Sequence, residues 1–288
     1  MALIGTQKFA ISRWWTGKTI ELLKSNRDIF SKARMREVRK ELIAGSHVIK
    51  SIQGWLQAAQ IIKSVKTGEY ELTDFGFAIY DNDSKLEKSS SWWAIHLGIC
   101  FSERSEPYSQ FFLGLDSVMK DWKSIKELTD KIYVILKEDV ARASIESELE
   151  GVRRMFQNDR PLAELGLIET RKNRNEGILI RLGTPKLTDE IIIHALAMMH
   201  FYQFKSRSSV DRSSVDFSEL LKTGLAHYLC CSPEQLRIHL RRMSQNHRWR
   251  NYFGFNEAVN IDSISFGDEC DPRKTLLELL QKGEDTWL

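Results

Sequence analysis

The sequence has only 5 prolines among 288 residues, only 4 cysteines, and no long unbroken apolar run. Scarce proline leaves long stretches free to be helical. Cys100, Cys230, Cys231 and Cys270 show neither CxxC nor Cys/His ligand spacing. That argues against a disulfide scaffold or a structural zinc site and for reduced thiols in a cytosolic protein. His96 and His194 break the best apolar runs, well short of the roughly 18 residues a membrane helix needs. The opening, Met1 to Trp15, lacks a basic stretch followed by an apolar one. The expectation is therefore a cytoplasmic protein with neither secretory signal nor membrane partner. A net charge of +3 excludes a global basic field, so any attraction to nucleic acid must come from local clustering. GxSxG, HExxH, Walker A, dinucleotide, HxKx4D and HNH-type zinc patterns are all absent, which removes the common hydrolase and nucleotide-enzyme signatures.

What is present is material for a core, 42% hydrophobic, with an ordinary 28% of charged residues, so a folded chain is expected. The expected class is mainly α with small β-hairpins, an α+β fold in three regions: a winged helix-turn-helix over 1–102, a mostly helical middle over 103–206, and a smaller basic region over 216–288 with helices and a hairpin. A second winged-helix-like shape is one reading of the last region. The tandem repeat Arg207-Ser208-Ser209-Val210-Asp211, Arg212-Ser213-Ser214-Val215-Asp216 reads as a linker or exposed loop. Asp216 with Glu219 also fits a capping box before Leu220-Leu221.

One helix carries the DNA argument. From Gly45 to Ala59, Val48, Ile49, Ile52, Trp55, Leu56 and Ala59 fall on one stripe at 100° per residue. Ser46, Lys50, Gln53 and Gln57 fall opposite, with His47 at the edge, and no carboxylate interrupts them. Gln can pair with adenine edges and Lys with guanine or phosphate. An earlier basic helix, roughly Ser31–Leu42, holds Lys32, Arg34, Arg36, Arg39 and Lys40, and Ala44-Gly45 supplies the short turn. Afterwards Ile61 to Val65 and Glu69 to Leu72 flank Lys66-Thr67-Gly68, a hairpin with a Gly-containing turn. Helix, turn, helix, hairpin is the winged helix-turn-helix order. The alternative is a surface helix whose polar face is merely solvated.

A second basic element lies near the end. Ser232-Pro233 opens a helix with Leu236, Leu240 and Met243 inward and Arg237, His239, Arg241 and Arg242 around the rest. Then His247-Arg248-Trp249-Arg250-Asn251-Tyr252-Phe253 interleaves bases with aromatics, a pattern that suits phosphate contact and base stacking. Ordinary solvation with the aromatics turned inward is the competing account. DNA contact is expected of Arg237, Arg241, Arg248 and Arg250 here, beside Arg34, Lys66 and the polar face of the first region.

For chemistry, the one acidic group of interest is Asp74 with Asp81, Asp83 and Glu87 near Lys85. Such oxygens beside a lysine can hold a magnesium ion (Mg) for phosphodiester hydrolysis; a loop and a helix cap are the alternative. His194 and His200 lie in an apolar helix and read as core histidines.

These stretches together resemble a bacterial family, domain of unknown function 4007. The resemblance runs through Gly5-Thr6-Gln7-Lys8-Phe9, Arg13-Trp14-Trp15-Thr16-Gly17-Lys18, Leu42 to Leu56, Leu72-Thr73-Asp74-Phe75-Gly76, Leu86-Glu87, Ser91-Trp92-Trp93-Ala94-Ile95-His96 and Pro161 to Ile168. It departs at Thr6-Gln7, where the family usually has His-Glu, and at Ser46-His47-Val48, where it often has Lys-Asn-Met. The resemblance implies a magnesium-dependent DNA-nicking subunit of a phosphorothioate DNA-modification system used in antiphage defence. It also implies partners: a cysteine desulfurase, an ATPase and a sulfur-transferring ATP pyrophosphatase-like protein. The residues alone also allow a non-catalytic DNA-binding regulator or an assembly scaffold. A homodimer is a further arrangement the sequence leaves open.

Overall fold

A computed structural model describes residues 9–115, 121–135, 140–157, 159–175, 177–205, 213–258 and 261–282. The chain builds the same local order three times. The first unit runs α1 (Arg13–Ser25), α2 (Met35–Glu41), α3 (Ser46–Ala58), β1 (Ile62–Lys66) and β2 (Glu69–Leu72). Its two strands pair antiparallel, Ile62 opposite Leu72. The connection from α1 to α2 adds one further rung, Tyr70 N to Arg27 O at 2.8 Å. Two helices, α4 (Asp74–Asn82) and α5 (Ser89–Cys100), lead onward.

The second unit is α6 (Glu106–Gly114), β3 (Lys123–Ser124), α7 (Ile125–Ile135), α8 (Arg142–Arg154), β4 (Ile168–Asn173) and β5 (Gly177–Leu182). Its sheet has the order β3-β5-β4. The middle also holds a sheet that the mostly helical expectation did not include: Ile168 to Asn173 lies in register against Leu182 to Gly177, and Gly177 takes the positive φ of 78° that the hairpin turn needs.

The third unit opens with α9 (Asp189–Met199), which continues as a π-helical turn over His200–Lys205. β6 (Ser214–Asp216), α10 (Phe217–Lys222), α11 (Leu225–Tyr228), α12 (Pro233–Ser244), β7 (Phe253–Ala258) and β8 (Ile261–Phe266) follow, and α13 (Pro272–Lys282) closes the chain. The sheet order β6-β8-β7 repeats that of the second unit. A helix, a short strand, further helices (two in the second unit, three in the third) and a hairpin whose second strand takes the middle of the sheet make a winged-helix arrangement in both units. The first unit has it with a single backbone rung in place of the short strand. Of the tandem repeat, residues 207–212 lie outside the described residues, and Ser214 to Asp216 form β6. Asp216 precedes α10 without a side-chain cap bond, so the capping box is not made.

The turn between α2 and α3 in the first unit and the turn between α11 and α12 in the third are the same motif. Ile43 and Cys230 sit in the left-handed region at φ 45° and 49°. Around them, Ile43 N bonds Lys40 O and Ala44 N bonds Arg39 O; Cys230 N bonds His227 O and Cys231 N bonds Ala226 O. Each is a Schellman ending. One residue later the next helix is capped, by Gly45 in one unit and by Ser232 in the other, where Ser232 and Gln235 form a capping box.

A continuous apolar core runs through all three units. α5 and α9 are its axis: every residue of α5 from Ser90 to Cys100 is buried, as is α9 from Glu190 to Met199. Side chains of the size of Trp92, Trp93 and Ile192 contribute about 1.5–3 kcal/mol each when buried. Gly98 lets α5 meet the end of α3, since a Cβ there would stand 2.7 Å from Ala59 O. α13 packs on α4, α5 and α9, tying the end of the chain to the first unit. His96 joins units: its ring nitrogens meet Tyr108 Oη at 2.9 Å and Tyr228 O at 2.8 Å. Its Nε2 must donate to the carbonyl, so Nδ1 accepts from Tyr108. Burial pushes His96 down to about 4. His194, bonded to Thr275 Oγ1 at 3.0 Å, is pushed down to about 3 for the same reason. Both His194 and His200 are buried in the core, and the four cysteines are free and buried.

Candidate nucleic-acid interface

The first unit holds α3 from behind. α3 buries Ile49, Ile52, Trp55 and Leu56, with Ala59 just after it. Trp55 Nε1 donates to Phe9 O at 2.9 Å, and Trp15 Nε1 of α1 donates to Leu42 O at 3.1 Å. Each indole thus uses its one polar atom to fix a neighbouring segment. α3 ends when Gln60 turns left-handed, with Ile61 N bonded to Leu56 O. The opposite face looks outward: His47 and Lys50 are exposed, Ser46 and Gln57 half-buried.

Gln53 behaves differently from the expectation. Its Nε2 donates to Tyr70 Oη at 2.5 Å, and Tyr70 packs edge-on against Phe30 with ring centroids 5.3 Å apart. Gln53 therefore joins α3 to the wing instead of pointing freely outward, and its oxygen and one remaining N–H are left to read a base. Two basic residues of this unit are also engaged. Arg34 Nη1 bonds Glu37 at 2.9 Å and its Nε lies 3.4 Å from Asp28. Lys66 pairs with Glu69 at 2.8 Å across the wing turn. Exposed pairs of this kind are worth roughly 0–1 kcal/mol, so a phosphate can displace them.

Of the other cations of the unit, Arg27 and Lys63 both pair with Glu71, Arg13 with Glu164 and Lys18 with Glu21; those around α2 and on α3 differ. Lys32, Arg36, Arg39 and Lys40 are exposed, as is Lys50, and none makes an ion pair among the described residues. They sit on α2, just ahead of it and on the outer face of α3, within a stretch from 32 to 50. Here helix-turn-helix geometry and unpaired positive charge coincide.

The second basic element has the opposite character. Arg237 is bonded to Asp262 of the hairpin, Arg242 to Asp189 of α9. Arg241 grips Glu257 with two bonds of 2.6 and 2.7 Å, which holds that carboxyl below the usual range. Arg248 bridges the buried Glu190 at 2.6 Å and Glu278 at 2.9 Å. Arg250 lies 2.7 Å from His247 Nδ1. Trp249 is buried with its Nε1 bonded to Asp189 at 3.1 Å, and Phe253 is buried as well. Bases and aromatics alternate along the sequence because the aromatics face inward and the guanidiniums pair with internal acids. Arg237, Arg241 and Arg248, expected to contact DNA, are thus each paired with a carboxylate in the folded chain.

The carboxylates do not assemble. Asp83 is buried and fully engaged: Oδ1 accepts from Glu87 N at 2.9 Å, Oδ2 from Lys88 N at 2.9 Å and from Ser91 Oγ at 2.7 Å. It ties the loop after α4 to the first turn of α5. Asp74 opens α4 and pairs with Arg273 of α13. Asp81 and Glu87 are exposed and separate from it. Among the described residues no group of three or more His, Cys, Asp or Glu stands close enough to hold a metal ion. The residues expected to bind magnesium therefore do not fit that ion. The signal that would have shown this in the sequence is the spacing of Asp83 to Ser91, a side chain positioned to satisfy the free amides ahead of a helix.

No helix among the described residues is long and apolar enough to cross a membrane. No curated protein matches the chain. A solved structure of magnesium ion-bound SspB superposes with a TM-score of 0.75 at 17% identity, over 99% of this chain and 88% of that one. A second SspB structure gives 0.71 at 16% identity with the same coverage. At that identity the likeness is one of fold, and it extends through all three units. The model of the family described as proteins of unknown function, DUF4007, matches residues 5–281, and the chain belongs to that family.

Proposed function

We propose that this chain binds duplex DNA through its first winged-helix unit, as a subunit of a phosphorothioate DNA-modification and antiphage defence system. The observation that carries the reading is the set of unpaired cations, Lys32, Arg36, Arg39, Lys40 and Lys50, on a helix-turn-helix whose outer face has no carboxylate among Ser46, His47, Lys50, Gln53 and Gln57. Cations on both helices suit the backbone on either side of a major groove, with α3 as the reading element. The fold shared with SspB supports the system-level reading. In that reading a cysteine desulfurase, an ATPase and an ATP pyrophosphatase-like sulfur-transfer protein are the partners.

A magnesium-dependent nicking activity is the second reading, favoured by the magnesium ion held by the solved SspB structure. The carboxylates Asp74, Asp81, Asp83 and Glu87 do not supply such a site, so no cleavage step is derived from them. One experiment separates the two. A supercoiled plasmid is incubated with purified protein in magnesium or in EDTA, while duplex binding is followed by anisotropy at several salt concentrations. Salt-sensitive binding that loses about one unit of slope on Lys50→Ala is expected of the first reading. Open-circle product in magnesium alone would establish the second. Binding indifferent to Lys50→Ala would overturn the assignment of α3.

A further inference from the structure

A separate concavity lies on the other side of α1, outside the helix-turn-helix face. It encloses about 440 Å³ between the start of α1, α4 and the loop that follows α4. That volume is in the range of small-molecule sites. Arg13, Trp14, Gly17, Lys18 and one carboxylate, Glu21, come from α1, Tyr80 from α4, and Ser84 and Lys85 from the loop.

Its chemistry is mixed in a specific way. Trp14 is 50% exposed, although an indole is normally largely buried. Lys24 lies over the Tyr80 ring at 3.9 Å, so Trp14 is the aromatic surface left for a ligand. Three cations surround it in different states. Lys85 is exposed and makes no ion pair; Lys18 lies 3.3 Å from Glu21; Arg13 is fixed by Leu86 O at 3.2 Å and by Glu164. Gly17 forms the floor, where a Cβ would stand 3.4 Å from Ser84 O, so a larger side chain would enter the space. A flat aromatic surface next to an exposed ammonium, Lys85, and a second held only by Glu21 matches a nucleobase with its phosphate. A base in a duplex is already stacked on both faces, which leaves an unpaired one as the fitting form.

We propose that this pocket binds one nucleotide of an unpaired DNA strand, the base against Trp14 and its phosphate against Lys85 and Lys18. The proposal shares with the duplex-binding reading only the choice of nucleic acid as ligand; it uses different residues. The test is anisotropy of a labelled oligothymidylate and, separately, of a labelled duplex, with the full chain and its Trp14→Ala, Trp14→Phe, Lys85→Ala and Lys50→Ala variants. Trp14→Ala is expected to weaken oligothymidylate binding roughly tenfold without changing duplex binding, and Trp14→Phe to recover most of the loss. Lys85→Ala should lower the salt slope on the single strand by about 0.7. Added thymidine monophosphate that displaces the oligonucleotide would make a free nucleotide sufficient; failure to displace it would assign the pocket to a strand. Unchanged oligothymidylate affinity in Trp14→Ala, or equal losses on both probes, overturns the proposal. If Lys50→Ala weakens the duplex while Trp14→Ala changes nothing, the pocket alone fails; the reverse result sinks only the assignment of α3.

Discussion

The first and third units share a turn and differ in what surrounds their cations. α3 and α12 each follow a Schellman ending with a non-glycine residue in the left-handed region, and each is the last α-helix before the hairpin of its unit. Around α3, Arg36, Arg39, Lys40 and Lys50 face solvent without acidic partners among the described residues. Around α12, Arg237, Arg241 and Arg242 each meet a carboxylate of the hairpin or of α9. A guanidinium already bonded in two places to a carboxylate gains little from a phosphate, because it exchanges one oxyanion for another. Local basic composition is thus a poor guide to a nucleic-acid surface, and the pairing state of each cation decides.

The largest effect should come from inverting that difference. Changing Arg39 and Lys50 together to Glu removes two counterion-releasing contacts and adds repulsion, and duplex affinity is expected to fall roughly 100-fold at moderate salt. Changing Arg237 and Arg241 together to Ala should leave duplex affinity and its salt slope in place, while lowering the denaturant midpoint, since Asp262 and Glu257 lose their partners. Anisotropy and urea titration on the same preparations give both readouts. A comparable affinity loss in the two double variants would break the comparison.

The part of this contrast that is legible in the sequence is the part set by local spacing. The stripe of Ile49, Ile52, Trp55, Leu56 and Ala59 repeats at helical period and is buried where expected. The wing follows from a Thr-Gly turn between short β-rich runs, and Gly68 takes φ 79° there. What is hidden is long-range. Arg248 meets Glu190, and Arg242 meets Asp189, from another helix more than 50 residues away, and no periodicity reports a charge pair of that separation. The middle sheet was hidden for a different reason. Thr170, Arg171 and Lys172 of β4 are all exposed, so the strand carries no alternation of apolar and polar residues to give it away. The carboxylate reading failed on Asp83 because a loop-fixing carboxylate and a metal ligand use the same residue type; only the nearby amides of Glu87 and Lys88 distinguish them.

Acid should act on the joined units before it acts on the helix-turn-helix. His96 ties α5 to α6 and α11, and His194 ties α9 to α13, whereas His47 of α3 is exposed. Folded-state values pushed down to about 4 and about 3 mean that the unfolded chain takes up protons below pH 6.5 that the folded chain does not. Stability contributed by the two neutral rings is therefore present above pH 6.5 and lost as the pH falls towards those values. The slope is up to about 1.4 kcal/mol per pH unit for each ring. Urea unfolding at pH 7, 6 and 5 measures it, and a flat profile over that span would refute the account.

The smallest expected effect concerns the turn the two units share. Ile43 is 81% exposed and Cys230 is 2% exposed, yet both hold a left-handed backbone. For a β-branched residue that conformation is costly, roughly 1–2 kcal/mol, and at Ile43 almost no burial offsets it. Asn tolerates the left-handed region and suits solvent. Ile43→Asn should therefore stabilise the chain by about 1 kcal/mol, read as a rise in the urea midpoint at constant m. Cys230→Asn should do the reverse. Its side chain is packed in the core and its Sγ lies 3.3 Å from Leu167 O, so an amide there would bring polar atoms into a space filled by a small apolar group. Opposite signs at two geometrically equal positions would show that the shared turn is a backbone device whose cost each unit offsets differently. Equal signs would mean that the turn itself, and not its surroundings, sets the stability of both.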